Sequence, residues 1–168
     1  LLPEGAILSD EMVSSSEPVW AQMAGAPRHD HLPVTGGSIG QGLPVALGAA
    51  LACPDRKVIA LEADGSGMYT LQALWSMARE RADVVAVIFA NRRYRILDVE
   101  MRRTGATEIG PRANDMMDLR RPDLDWVKLA QGLGVAASRA ATADEFIARF
   151  RDALSERGPR LIEAVIEE

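Results

Sequence analysis

The chain is 168 residues long, 48% hydrophobic and 26% charged, which fits one globular domain with a core of its own. Nineteen Lys and Arg against 24 Asp and Glu give a net charge of −5, which argues against a dedicated nucleic-acid binder. A single cysteine, Cys53, excludes an intramolecular disulfide or a multi-cysteine metal site, and no apolar run approaches the ~18 residues of a membrane span. A cytoplasmic protein is expected, without nucleic-acid or membrane partners and without a signal peptide. The start at Leu1, not Met, points to a piece of something longer.

Short aliphatic strands alternate with longer amphipathic stretches. Residues 6–10 read as a strand, and 14 to about 23 as a helix opened by a serine cluster, with Pro18 near its first turn. Residues 26–40 read as a Gly-, Pro- and His-rich loop. Residues 41–52 form a helix of small side chains that tolerates Pro44 in its first turn. Residues 57–62 (KVIALE) are a strand, and 70–81 a helix with Leu71, Leu74, Trp75 and Met77 on one face. The run VVAVIFA at 84–90 is almost wholly apolar, as in a central parallel strand buried on both faces. A short helix starts at Tyr94, and 104–122 is the least regular stretch. Residues 124–132 read as a helix and 135–138 as a strand. Thr142 and Glu145 form a capping box that opens a helix to about Arg157, with Phe146, Ile147, Phe150 and Leu154 facing inward. Residues 160–166 close the chain as a strand. This alternation predicts an α/β fold: a doubly wound, mainly parallel sheet with helices on both faces. In such sheets ligands bind off the carboxyl ends of the strands.

Two strand ends stand out. Residues 57–62 run into Ala63-Asp64-Gly65-Ser66-Gly67, and 84–90 run into Asn91-Arg92-Arg93-Tyr94. Asp64 and Asn91 are 27 positions apart, about one βαβ unit, so a right-handed crossover brings both to one sheet edge. A carboxylate and an amide carbonyl there are hard oxygen ligands, suited to Mg2+ completed by waters and phosphate oxygens. Gly65 and Ser66 then serve as donors to that phosphate. Taken alone, Asp-Gly is equally a plain turn. The stretch Thr35-Gly36-Gly37-Ser38-Ile39-Gly40-Gln41-Gly42 lacks the Lys-Ser/Thr of a Walker loop and the order of a dinucleotide fingerprint. What remains is a loop whose backbone can approach a ligand closely, with Ile39 as core plug or ligand contact.

These residues resemble the thiamine-diphosphate-dependent decarboxylases and carboligases, in their C-terminal diphosphate-binding domain, over essentially the whole chain. The carriers are Ala63-Asp64-Gly65…Ala90-Asn91 for the family's Gly-Asp-Gly…Asn-Asn, the Gly-Gly-Ser-Ile-Gly loop with the Leu43–Ala49 helix, and the tail Gly158-Pro-Arg-Leu-Ile-Glu163. Benzoylformate-decarboxylase-like and acetolactate-synthase-large-subunit-like members are the most similar. The resemblance implies Mg2+ on the side chains of Asp64 and Asn91 and the carbonyl of Arg93. It implies thiamine diphosphate on Ser14, Gly65, Ser66 and the N–H of Ile96, with Ser38 in the cofactor loop. Gly37 would accept a hydrogen bond from the cofactor's exocyclic amine, and Ile39 would be the wedge that bends the cofactor. Ser14 is equally a helix N-cap. The implied reaction is decarboxylation of a small 2-oxo acid, with release or transfer of the aldehyde unit. The implied partner is a pyrimidine-binding domain of the same or a neighbouring subunit in a homodimer or homotetramer, without which this chain would be inert. A separate small subunit and a non-catalytic relative stay open, the latter because Ala63 and Ala90 replace the motif's first Gly and first Asn. Leu97 stands where some members carry an acid.

Other residues have two readings each. Glu62 is unusual in an aliphatic strand, either a solvated strand end or a perturber of the site. His29 and His31 could ligate zinc or face substrate. Arg92, Arg93, Arg95, Arg102 and Arg103 form a solvated helix face or hold a substrate carboxylate. The 104–122 stretch looks like a loop closing over a site or ordering against a partner. Trp20, Trp75 and Trp126 read as packing, and Cys53 as buried filler.

Overall fold

Among the described residues every pair of neighbouring strands is parallel. The computed structural model describes residues 1–106 and 108–166. Six strands, β1 (Ala6–Glu11), β2 (His29–Pro33), β3 (Val58–Ala63), β4 (Val84–Ala90), β5 (Ala136–Ala140) and β6 (Arg160–Val165), form one sheet in the order β2-β1-β3-β4-β6-β5. Among the described residues eight α-helices flank them: α1 (Ser16–Ala21), α2 (Gly42–Ala52), α3 (Asp64–Gly67), α4 (Ala73–Glu80), α5 (Arg95–Arg103), α6 (Pro111–Met117), α7 (Trp126–Gly132) and α8 (Ala143–Ser155).

The strand order decides which face each helix covers. The steps β2 to β3, β3 to β4 and β4 to β5 cross the sheet in one direction; β1 to β2 and β5 to β6 run back. Right-handed crossovers therefore place the two sets of connections on opposite faces. Leu43 and Ala46 of α2, Leu74 and Met77 of α4 and Trp126 of α7 pack with Val84, Ala86 and Ile88 in one core. Val19 and Trp20 of α1 and Phe146 and Phe150 of α8 pack with Val85 and Val87 in the other. The alternation along β4 explains why that strand is apolar throughout. Because the chain runs from β1 to β2 on one side and from β3 to β4 on the other, the carboxyl ends of β1 and β3 form the topological switch point.

Several elements differ from the sequence expectation. β2 lies inside the expected 26–40 loop. It is a largely exposed edge strand closing on Pro33, a position where a missing N–H costs no sheet bond. Its polar sequence HDHLP follows from that exposure. The expected 14–23 helix splits into a 3-10 turn (Val13–Ser15) and α1, and the 70–81 helix starts three residues late, at Ala73. The 104–122 stretch contains α6, and Met117 at its end is buried. Thr142 caps α8 by accepting from the N–H of Glu145 (3.2 Å), whose carboxylate accepts from Ala141 N (2.8 Å). Trp75 corrects its packing assignment: it is half exposed, with the Arg79 guanidinium 5.6 Å above its ring. Among the described residues no helix is long and apolar enough to cross a membrane.

Candidate functional site

β3 and β4 pair in register from Val58↔Val84 to Ala63↔Phe89, so Asp64 and Asn91 leave adjacent strands at one edge. Both are buried. Asp64 Oδ1 accepts from Gly65 N (2.9 Å) and Oδ2 from Arg92 N (2.6 Å), while Asn91 Oδ1 accepts from Arg93 N (3.0 Å). Burial pushes the Asp64 carboxyl up to about 6, against the lowering pull of those backbone donors and the Arg92 charge. A buried carboxylate and, at the adjacent strand end, an amide oxygen are hard oxygen donors of the kind that suits Mg2+, while the Arg93 carbonyl accepts from Arg95 N (2.8 Å).

The turn after β4 is held from below. Arg92 has a left-handed φ of 59°, its carbonyl accepts from Leu119 N (2.9 Å), and Tyr94 N donates to Met117 O (2.9 Å). Within the 104–122 stretch, Asn114, Met117 and Leu119 are thus bonded to this chain's own turn after β4; Thr107 lies outside the described residues. Arg93 forms a bidentate ion pair with Asp98 and donates to Asn114 Oδ1 (2.7 Å), which commits its guanidinium. That guanidinium holds the Asp98 carboxyl below its ordinary range. Arg92 pairs with Asp123 at 3.0 Å.

Ser14, Ile39, Gly65, Ser66, Asn91, Arg93 and Ile96 line one cleft, together with Val13, Ala63, Tyr94 and Arg95. Asp64, buried between the lining residues Ala63 and Gly65 in the chain, does not itself line it. Gly37 and Ser38 do not line it: they are exposed in the loop, and the Gly37 carbonyl accepts from Ile39 N (3.1 Å). Ser14 sits within the 3-10 turn, so it is not the cap of α1; that position is Ser15, which makes no side-chain cap bond. The Asp-Gly dipeptide is more than a turn. A Cβ on Gly65 would lie 2.5 Å from the Tyr94 ring, and one on Gly67 2.9 Å from Trp126. The short helix α3 fits between two aromatics only because both positions lack side chains. The Ser66 hydroxyl lies 3.2 Å from Glu11 O and 3.1 Å from Ala63 O.

Two buried glutamates lie side by side at the ends of β1 and β3. Glu11 Oε1 accepts from Gly40 N and Oε2 from Gly42 N, each at 2.5 Å. Glu62, its register partner on β3, is 1% exposed, and its Oε1 has no hydrogen-bond partner. Burial, with the charges of Glu11 and Asp10, pushes the Glu62 carboxyl well above its ordinary value. Glu62 is therefore not a solvated strand end. Its oddity is legible in KVIALE, whereas nothing in the sequence separates Glu11 from its acidic neighbour Asp10.

The histidines do not converge on a metal. His29 Nδ1 is 2.7 Å from Pro27 O, and His31 Nε2 is 3.3 Å from Asp10 Oδ2, which also accepts from Trp20 Nε1 (2.9 Å). Among the described residues no group of three or more His, Cys, Asp or Glu could hold a metal ion. Leu97 and Trp75 are exposed, Trp126 is fully buried, and Cys53 is partly buried beside α2.

Residues 14–164 match the family described as thiamine pyrophosphate enzyme, C-terminal TPP binding domain. IlvX of Mycobacterium tuberculosis, named as a candidate acetolactate synthase large subunit, is 50% identical over 99% of this chain and 32% of its own length. The benzoylformate decarboxylase of Pseudomonas aeruginosa is 36% identical over 97% of this chain and 30% of its own. The solved thiamine diphosphate-dependent 4-hydroxybenzoylformate decarboxylase of Rhodococcus jostii RHA1 superposes with a TM-score of 0.85 at 36% identity, over 98% of this chain and 30% of that one. The chain spans about a third of the length of these relatives. A six-stranded parallel sheet, a cleft at its switch point and a family match over nearly the whole chain lead to one conclusion: the protein belongs to the C-terminal TPP-binding domains of the thiamine pyrophosphate enzymes.

Proposed function

We propose that this chain holds thiamine diphosphate through Mg2+ for an enzyme that decarboxylates a small 2-oxo acid and releases or transfers the aldehyde unit. The observation that supports this best is the cleft itself, where residues from four separate segments meet, among them Ala63 and Gly65 on either side of buried Asp64 in the chain. Asp64, Asn91 and the Arg93 carbonyl would hold the metal. The hydroxyls of Ser14 and Ser66 and the N–H of Ile96 would hold the diphosphate. Gly65 contributes room, since its own N–H is directed to Asp64. Ile39 and the loop residues Gly37 and Ser38 would support the thiamine part. Thiamine diphosphate, when bound, supplies the electron sink that lets a 2-oxo acid lose carbon dioxide.

The rest of the active site, including the group that activates the pyrimidine, would come from a pyrimidine-binding domain of the same or a neighbouring subunit, in a cytoplasmic homodimer or homotetramer. On this reading the chain alone binds cofactor and does not turn over. Calorimetric titration of thiamine diphosphate, with and without Mg2+, tests it on the wild type and on Asp64→Ala. Expected are magnesium-dependent binding by the wild type and its loss in the variant. Absence of magnesium-dependent binding by the wild type would sink the proposal.

A further inference from the structure

We infer that Glu11 is a positioning residue: its carboxylate clamps the backbone of Gly40 and Gly42 and so fixes where the loop carrying Gly37 and Ile39 stands over the cleft. What the loop would hold rests on the thiamine diphosphate reading; the clamp does not.

Four observations converge on it. Glu11 is fully buried at the end of β1, and a charge there needs strong compensation. Two short amide bonds, one to each oxygen, supply it at the start of α2, where a negative charge also favours the helix. Next, both amides reach the carboxylate because neither residue carries a side chain. Gly40 has a φ of +95° and would place a Cβ 2.9 Å from Tyr69 Cβ, while a Cβ on Gly42 would lie 2.9 Å from Glu11 Cβ. The loop is also tied to its anchor, since Gln41 Nε2 donates to Thr35 O (3.4 Å) and Ser38 O (3.2 Å). Finally, the end of β1 joins both halves of the cleft. Ser9 Oγ donates to Gly42 O (2.8 Å), and the Ser66 hydroxyl on α3 faces Glu11 O.

The chemistry requires a carboxylate of this length. An amide at position 11 turns its NH2 toward one of the two N–H groups, losing one bond and setting donor against donor. Asp is one methylene too short to reach both.

Two measurements on the 168-residue chain test the inference. By NMR hydrogen exchange, the Gly40 and Gly42 amides of the wild type should exchange at least about a hundredfold more slowly than Gly37. In Glu11→Gln at least one of them should exchange about tenfold faster, with the Val85–Val87 amides unchanged. In calorimetry with Mg2+, Glu11→Gln should weaken thiamine diphosphate at least about tenfold and leave inorganic pyrophosphate within about twofold, because the diphosphate donors lie elsewhere. Wild-type Gly40 and Gly42 amides as labile as Gly37 overturn the clamp, even if the variant does not fold. Equal weakening of both ligands overturns the positioning role and leaves Glu11 a general structural residue. A wild type that binds neither ligand refutes the proposed function and the loop's cofactor role with it, while exchange at Gly40 and Gly42 still decides the clamp.

Discussion

Gly42→Ala is a severe test of how the site is packed, although it adds a single methyl group at the first position of a helix. An ideal Cβ there would lie 2.0 Å from Glu62 Oε1, 2.8 Å from Glu62 Cδ and 2.9 Å from Glu11 Cβ. None of these atoms can swing into solvent, since Glu62 is 1% and Glu11 0% exposed. Overpacking of this kind costs about 1–3 kcal/mol, and the helix-propensity gain of Ala over Gly returns at most about 1 kcal/mol. A net loss of about 1–2 kcal/mol is expected, or a Tm lower by roughly 2–8 °C for a domain of this size. Urea denaturation followed by circular dichroism measures it. Glu62→Ala removes the obstructing carboxyl, so the added methyl then fills space. The double variant Gly42→Ala/Glu62→Ala should be more stable than the sum of the single changes by at least about 1 kcal/mol. A Gly42→Ala protein as stable as wild type, or additivity within about 0.4 kcal/mol, refutes the packing argument.

Three further outcomes follow from the same geometry. Because the Glu62 carboxyl is raised, the folded state keeps a proton that the unfolded chain releases near the ordinary value of 4.5. Folded stability therefore falls as pH rises above that value toward the raised one, and Glu62→Gln, which cannot ionise, lacks this slope. Urea midpoints of the metal-free proteins between pH 4 and about 8 should diverge in favour of the variant; a wild type that gains on it as pH rises contradicts the assignment. Asp64, raised to about 6 by burial, must ionise to bind a cation, so Mg2+ affinity in the presence of thiamine diphosphate should fall as pH drops through about 6. A flat affinity from about pH 5 to 7.5 would count against it as the ligand. Trp126→Ala should cost about 3–5 kcal/mol in urea unfolding, because the ring is fully buried and walls Gly67; a loss under about 1 kcal/mol would mean that α3 does not lean on it.

The sequence carried the fold where periodicity and burial coincide. β4 reads as a central strand because both its faces are covered, and Thr142 with Glu145 marks the start of α8 because capping is local chemistry. β2 was silent because an exposed edge strand needs no apolar pattern and can close on Pro33. α6 was silent because its order comes from hydrogen bonds to the turn after β4, not from a strong apolar face of its own. At the site, Asp64 and Asn91 were legible from a βαβ spacing and the type of their oxygens. Glu11 was not, because its partners are backbone amides 29 and 31 residues away, and a backbone donor leaves no mark in sequence.

Glu62 and Gly42 illustrate how an apparent irregularity in sequence becomes regular in space. In KVIALE the glutamate stands where an aliphatic side chain belongs, and Gly42 reads as one more glycine of a permissive loop. In the structure they form one packing solution, the missing side chain of Gly42 leaving the volume that the Glu62 carboxyl fills. Glu11 and Glu62 face each other across β1 and β3, and two like charges so placed in a buried site oppose each other. Glu11 accepts from two backbone amides, whereas Glu62 Oε1 has no hydrogen-bond partner. Burial, reinforced by the neighbouring Glu11 and Asp10, thus keeps the proton on Glu62, which fills an aliphatic position as a neutral acid beside the carboxylate that anchors the loop.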